Sequence, residues 1–176
     1  MTARLLTAAL VVCSCLRAGA QSPTTSDVGA RKLAGWLVGA SLGVPGYRQR
    51  YSPEMFTLGV NATAVRPGRL GADWSIGTMP TLLQNGLSLG LRAGVALPIA
   101  AAPHLLVIPS AGFTVVAAFA DNAAAGLPGY NAGLATVAHA GSVGLRTGVT
   151  MHSLAGARGS FWLLEVGLVH VPIHRS

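Results

Sequence analysis

Two long stretches of this sequence, residues 93–120 and 122–145, contain no Asp, Glu, Lys or Arg, yet proline and glycine interrupt both. Hydropathy alone would admit each as a membrane-spanning helix. Pro98, Pro103 and Pro109 break the first repeatedly, because proline lacks an amide donor and clashes with the turn before it. The second holds Gly126, Pro128, Gly129, Gly133, Gly141 and Gly144. Neither supplies the ~20 uninterrupted apolar residues that a spanning helix needs.

The stronger signal has a period of two, the repeat of a strand whose faces meet different surroundings. Leu87, Leu89, Leu91, Ala93, Val95 and Leu97 share one face, opposite Ser88, Gly90, Arg92, Gly94 and Ala96. Val143, Leu145, Thr147, Val149 and Met151 likewise oppose Gly144, Arg146, Gly148, Thr150 and His152. The same alternation sets Leu58 and Val60 against Gly59 and Asn61, Trp74 and Ile76 against Asp73 and Ser75, and Trp162 and Leu164 against Leu163 and Glu165. One apolar face and one small or polar face, over about 9–11 residues, is the pattern of a transmembrane barrel strand.

The pattern predicts strands at 35–44, 54–65, 70–79, 87–98, 105–119, 130–139, 142–152 and 160–172. That is an all-β fold, an eight-stranded antiparallel transmembrane β-barrel of up-and-down topology, with the barrel domain at 35–173. Longer connections at 45–53, 80–86, 120–129 and 153–159 alternate with shorter ones at 66–69, 99–104 and 140–141. Composition agrees. Only 10% of residues are charged, against about 25% on average, too few to coat a water-soluble globule. The 51% apolar content excludes a disordered chain, and 23 Gly and 10 Pro sit badly in a helical bundle. An inner-membrane helical protein is the structurally different alternative.

Residues 1–20 have the parts of a cleaved signal peptide: Arg4, an apolar core at Leu5–Val12, and Ala18-Gly19-Ala20 before Gln21. Cys15 offers a competing acylation site. Cleavage after Ala20 would remove both cysteines, and with them any disulfide or thiolate metal site. It would also remove Arg4 and Arg17 from the 12 basic residues, leaving ten against five acidic ones. These are scattered, with no basic run that suggests nucleic acid. Residues 21–34 read as a flexible lead-in.

A signal peptide followed by eight alternating strands resembles the small bacterial outer-membrane β-barrel proteins, the OmpA/OmpX-like group. The resemblance covers residues 33–173 and rests on pattern and length. Such barrels commonly finish on an aromatic residue, whereas this chain finishes Ile173-His174-Arg175-Ser176. The resemblance implies export to the outer membrane of a Gram-negative-type bacterium, a monomer surrounded by outer-membrane lipids, and partners met through external loops. It implies no cofactor and no metal.

Asp73, Arg92, Arg146 and Glu165 all fall on the polar faces. A lipid-facing Arg would cost about 2–4 kcal/mol at mid-depth, so these four are expected to form an ion-pair network in the lumen. Trp36, Trp162, Phe161 and Tyr130 are expected to anchor the barrel at the membrane interfaces, with Tyr47 and Tyr51 nearby; Trp74 is too near mid-strand. Two G-x-S-x-G matches, Gly39–Gly43 and Gly86–Gly90, lack the helix that a nucleophile elbow requires. Asn61-Ala62-Thr63 is a glycosylation sequon lying within a strand. His170 and His174 are separated by Pro172, which spoils a helical metal pair.

The sequence reading is a non-enzymatic barrel with a filled lumen and a structural or loop-mediated role in the envelope. Its rivals are a narrow channel and a lipid hydrolase. Some outer-membrane lipid-modifying hydrolases are similar in size and form, and His152, Ser153 and Glu165 are the residues such an activity would use. Their adjacency puts His152 and Ser153 on opposite faces of a strand.

Overall fold

Strands with one apolar and one polar face can satisfy their backbone groups in lipid only by closing on themselves, and these do. The computed structural model describes residues 33–47, 50–51, 56–79, 87–120, 123–155 and 160–173. They form β1 (Gly35–Tyr47), β2 (Arg50–Tyr51), β3 (Thr57–Val65), β4 (Gly71–Thr78), β5 (Leu87–Ala96), β6 (Ile99–Ala102), β7 (Leu105–Ala120), β8 (Ala123–Ala140), β9 (Val143–Leu154) and β10 (Ser160–His170). Eight long strands run antiparallel in the order β10-β9-β8-β7-β5-β4-β3-β1, and β10 pairs back with β1 to close the barrel. The short β2 pairs β1, and the short β6 pairs β7. No helix occurs among the described residues, both charge-free stretches are strands and turns where they are described, and the helical alternative is set aside.

The expected faces are the observed ones. Leu42, Leu58, Ile76, Leu91, Leu145, Val166 and Leu168 are among the large apolar side chains pointing outward, and each is roughly half exposed or more. Their strand neighbours Ser41, Thr57, Arg92 and Arg146 are buried inside. Such a continuous exposed apolar belt around a closed barrel suits a lipid surrounding.

Three boundaries differ from expectation, two of them through proline. The connection expected at 120–129 is largely strand: β8 starts at Ala123 and pairs with β7 from Ala120–Ala123 down to Leu105–Ala138. Gly126, Pro128 and Gly129 resemble loop residues, but the Pro128 carbonyl accepts from the Ala155 amide at 2.7 Å, where β9 has just ended. The missing Pro128 donor faces that end, so the ladder to β7 loses nothing. Pro109 lies inside β7 for the same reason. Its carbonyl accepts from Leu97 at 2.9 Å, in the gap between β5 and β6. That gap ends the strand expected at 87–98 at Ala96, and Ile99–Ala102, expected as a connection, is β6. Third, β1 continues to Tyr47 and pairs with β2 inside the connection expected at 45–53.

Two tight turns follow from local chemistry. Arg66-Pro67-Gly68-Arg69 closes with the Arg69 amide donating to the Arg66 carbonyl at 2.9 Å. Proline presets the second position of such a turn, and Gly68 supplies φ +74° at the third. Gly141, at φ +60°, begins the turn between β8 and β9.

Leu33 bridges Ile173 and is buried. The barrel therefore takes in the last part of the segment read as a lead-in at 21–34. The rest of that segment and the expected signal peptide at 1–20 lie outside the described residues, as do the connections at 80–86 and 156–159.

The interior is layered. Near the chain termini, Leu37, Leu106, Ile108, Val137 and Val171 form an apolar cluster that is essentially inaccessible. At the opposite end Val116, Leu154 and Phe161 form a second one, packed by Met79 and Leu127. The buried polar side chains occupy the lumen between them.

Candidate functional site

The polar layer is built from inward positions of β3, β4, β5, β9 and β10, some adjacent in the sheet and some facing each other across the lumen. Arg92 on β5 carries the central charge and is only 2% exposed. Its Nη2 lies 3.8 Å from Asp73 Oδ2 on β4, and its Nη1 lies 3.6 Å from Glu165 Oε2 on β10. These are ion-pair distances, longer than a direct charge-assisted hydrogen bond. The Arg92 Nη1 donates instead to Thr150 Oγ1 on β9 at 3.0 Å, and that hydroxyl donates to Glu165 Oε2 at 3.3 Å.

Arg146 on β9 repeats the device across the barrel. Its Nη1 donates to Thr63 Oγ1 on β3 at 3.2 Å and to Asn61 Oδ1 at 3.3 Å. The Thr63 hydroxyl donates to Asp73 Oδ1 at 2.6 Å. Each arginine therefore reaches a carboxylate through one threonine, and Arg92 meets both carboxylates. Arg146 itself makes no ion pair within 4 Å among the described residues.

The structure thus places Asp73, Arg92, Arg146 and Glu165 together in one buried layer. Asn61, Thr63 and Thr150 complete it, and they were not singled out as site residues. The signal that would have found all three is their place at inward positions of the charged strands' polar faces.

His152 is fully buried beside this layer. Its Nδ1 is 3.1 Å from Thr114 Oγ1, which accepts from Asn131 Nδ2 at 2.8 Å. Its ring stacks on Phe161 at 4.8 Å with an interplanar angle of 10°. Phe161 is accordingly not an interface anchor. It alternates with the outward Trp162, points into the barrel and is 6% exposed. Trp36, Trp162 and Tyr130 face outward, Trp36 at the terminal end and the other two toward the opposite end, and are 44–68% exposed. The side chains of Tyr47 and Tyr51 lie outside the described residues.

The hydrolase trio is not assembled. Ser153 faces outward and is exposed, while His152 faces inward. Glu165 is engaged by Arg92 and Thr150. A nucleophile and its base must lie within hydrogen-bond reach of each other, and here the sheet itself separates them. In the first G-x-S-x-G match, Gly39, Ser41 and Gly43 point inward; a Cβ on Gly39 would come within 2.2 Å of the Leu168 carbonyl oxygen. His170 faces outward, and His174 lies outside the described residues. Among the described residues no three His, Cys, Asp or Glu side chains group as metal ligands.

No family model matches this chain, and no curated protein matches it in sequence. Several solved structures share its fold. The N-terminal β-barrel domain of Pseudomonas aeruginosa OprF superposes with a TM-score of 0.56 at 10% identity, covering 78% of this chain and 98% of that one. Ail, the attachment invasion locus protein of Yersinia pestis, gives 0.57 at 6% identity, covering 80% and 99%. Neisserial surface protein A gives 0.55 at 10% identity, covering 78% and 97%. The resemblance to the small outer-membrane barrels therefore holds at the level of fold.

Proposed function

We propose, for a chain with the fold of the small outer-membrane barrels, that it is a closed structural barrel of a Gram-negative-type outer membrane, neither enzyme nor channel. The layered interior carries this reading. A charge-tied polar layer lies between two apolar clusters, and an eight-stranded barrel is just wide enough for side chains to fill. Ion passage requires continuous water, and Leu37, Leu106 and Val137 at one end and Phe161 and Leu154 at the other oppose it.

The separation of His152 from Ser153 supports a non-enzymatic role. The long hairpin of β7 and β8 is the element this barrel offers outward, in place of the loop expected at 120–129. Its upper residues, Ala124–Gly126, are exposed on both faces.

The test is reconstitution of the refolded protein in planar bilayers and vesicles. Expected results are a band that shifts on boiling, a β-type circular dichroism spectrum, no discrete conductance steps and no release of fatty acid from phospholipid. Conductance steps that Arg92→Ala alters would overturn the closed-barrel reading. Hydrolysis abolished by His152→Ala would overturn the non-enzymatic one.

A further inference from the structure

A groove of about 490 Å³ opens on the outer wall at the terminal end, between β1 and the β3–β4 turn. That volume lies in the roughly 300–1,000 Å³ range of small-molecule sites. Its origin is local. The β3–β4 ladder stops at the Thr63–Asp73 pair, although β3 continues to Val65 and β4 begins at Gly71. Below that pair the lining is small, with Ala34, Gly35, Ala64 and Gly71 contributing at most a methyl group each. Trp36, Leu70 and Arg66 supply the large side chains of the lining. Trp36 is 47% exposed and Leu70 is 67% exposed.

The charges around this groove are one-sided. Arg66 and Arg69 are both exposed on the turn. The two acids among the described residues, Asp73 and Glu165, are committed to Arg92 inside the barrel. An outward-facing groove lined by an aromatic ring and small apolar side chains, with two exposed guanidinium groups on its turn and no acid paired with them among the described residues, matches an amphiphile with an anionic head. We propose that the groove seats one anionic phospholipid of the adjoining leaflet. Its phosphate meets Arg66, and an acyl chain lies over Ala64 between Trp36 and Leu70. The inference rests on the membrane reading above and adds to it a defined lipid site.

Trp36 is the natural reporter, because the chain has only three tryptophans. In a Trp74→Phe, Trp162→Phe background, the full-length barrel is reconstituted in vesicles carrying brominated phosphatidylglycerol or, at equal mole fraction, brominated phosphatidylcholine. Trp36 fluorescence is expected to show about a fivefold preference for the anionic lipid, the scale of one interfacial arginine. Arg66→Gln is expected to remove that preference, and Ala64→Leu to weaken quenching by filling the groove floor. Equal quenching by the two lipids, or a preference that survives Arg66→Gln in a barrel that still shifts on boiling, overturns the site. A second protein retaining only Trp162, at the other end of the barrel, reports insertion independently. If Trp162 is quenched, a failure at Trp36 counts against the lipid site alone; if it is not, the membrane reading falls and the site falls with it.

Discussion

Arg92 is the residue on which the interior charges converge. Asp73 is buried and Glu165 part-buried beside it, and Thr150 is tied to both it and Glu165. Removing one member of a buried pair leaves the others charged and unpaired, which typically costs about 3–5 kcal/mol. Arg92→Ala is therefore expected to lower the unfolding free energy of the refolded barrel, read from urea titration, by that scale. Arg92→Met combined with Glu165→Gln is expected to recover most of the loss, since the layer then keeps one acid, Asp73, and one base, Arg146, joined through Thr63. A single variant as stable as the parent would show that the pairs contribute nothing net. The sequence located all four ionisable members by parity, since each lies on the polar face of its strand. It did not single out Asn61, Thr63 or Thr150, because a neutral polar side chain costs less to bury than a charge and does not dictate which partner it takes. Phe161 is a different case. Alternation with Trp162 already placed it inside, and the aromatic composition of the strand end obscured that.

At the scale of elements, glycine serves the barrel in two ways that substitution can separate. Gly68 needs a left-handed backbone, but a Cβ there would meet nothing within 4 Å. Gly68→Val should therefore cost backbone strain alone, about 1–2 kcal/mol. Gly94 and Gly112 face each other across β5 and β7 with ordinary backbone angles, yet a Cβ on either would lie within 2.3 Å of a carbonyl oxygen on the opposite strand. Such glycines let a small barrel bend sharply. Gly94→Val is expected to block formation of the heat-shifting band, while Gly68→Val only lowers its stability. Gel mobility and urea unfolding of the pair check this, and equal behaviour would refute the distinction. The prolines teach a related lesson. Pro109 and Pro128 look like breaks in the sequence, but a residue without a donor is harmless wherever the adjoining strand has already ended. Where a neighbouring strand ends is not written next to the proline.

On the closed-barrel reading proposed above, the lumen is sealed twice, by apolar clusters at opposite ends of one polar layer. Opening one end should therefore leave the barrier intact. Phe161→Ala combined with Leu154→Ala is expected to destabilise the barrel, since each large-to-small change in a core costs about 2–5 kcal/mol, without producing bilayer current. Measurable conductance from that variant alone would mean that the cluster around Leu37 and Leu106 does not seal.

By itself the sequence determined which segments cross, which side chains meet lipid and which charges must be interior. A two-residue period between lipid and lumen is a local property, repeated in every long strand. The tertiary structure decided which interior side chains meet, because contacts such as Arg92–Thr150 and Arg146–Thr63 join strands three or more places apart in the sheet. Those contacts depend on the relative heights of distant strands. That height is set only when the register accumulated around the sheet is fixed by closure of β10 on β1.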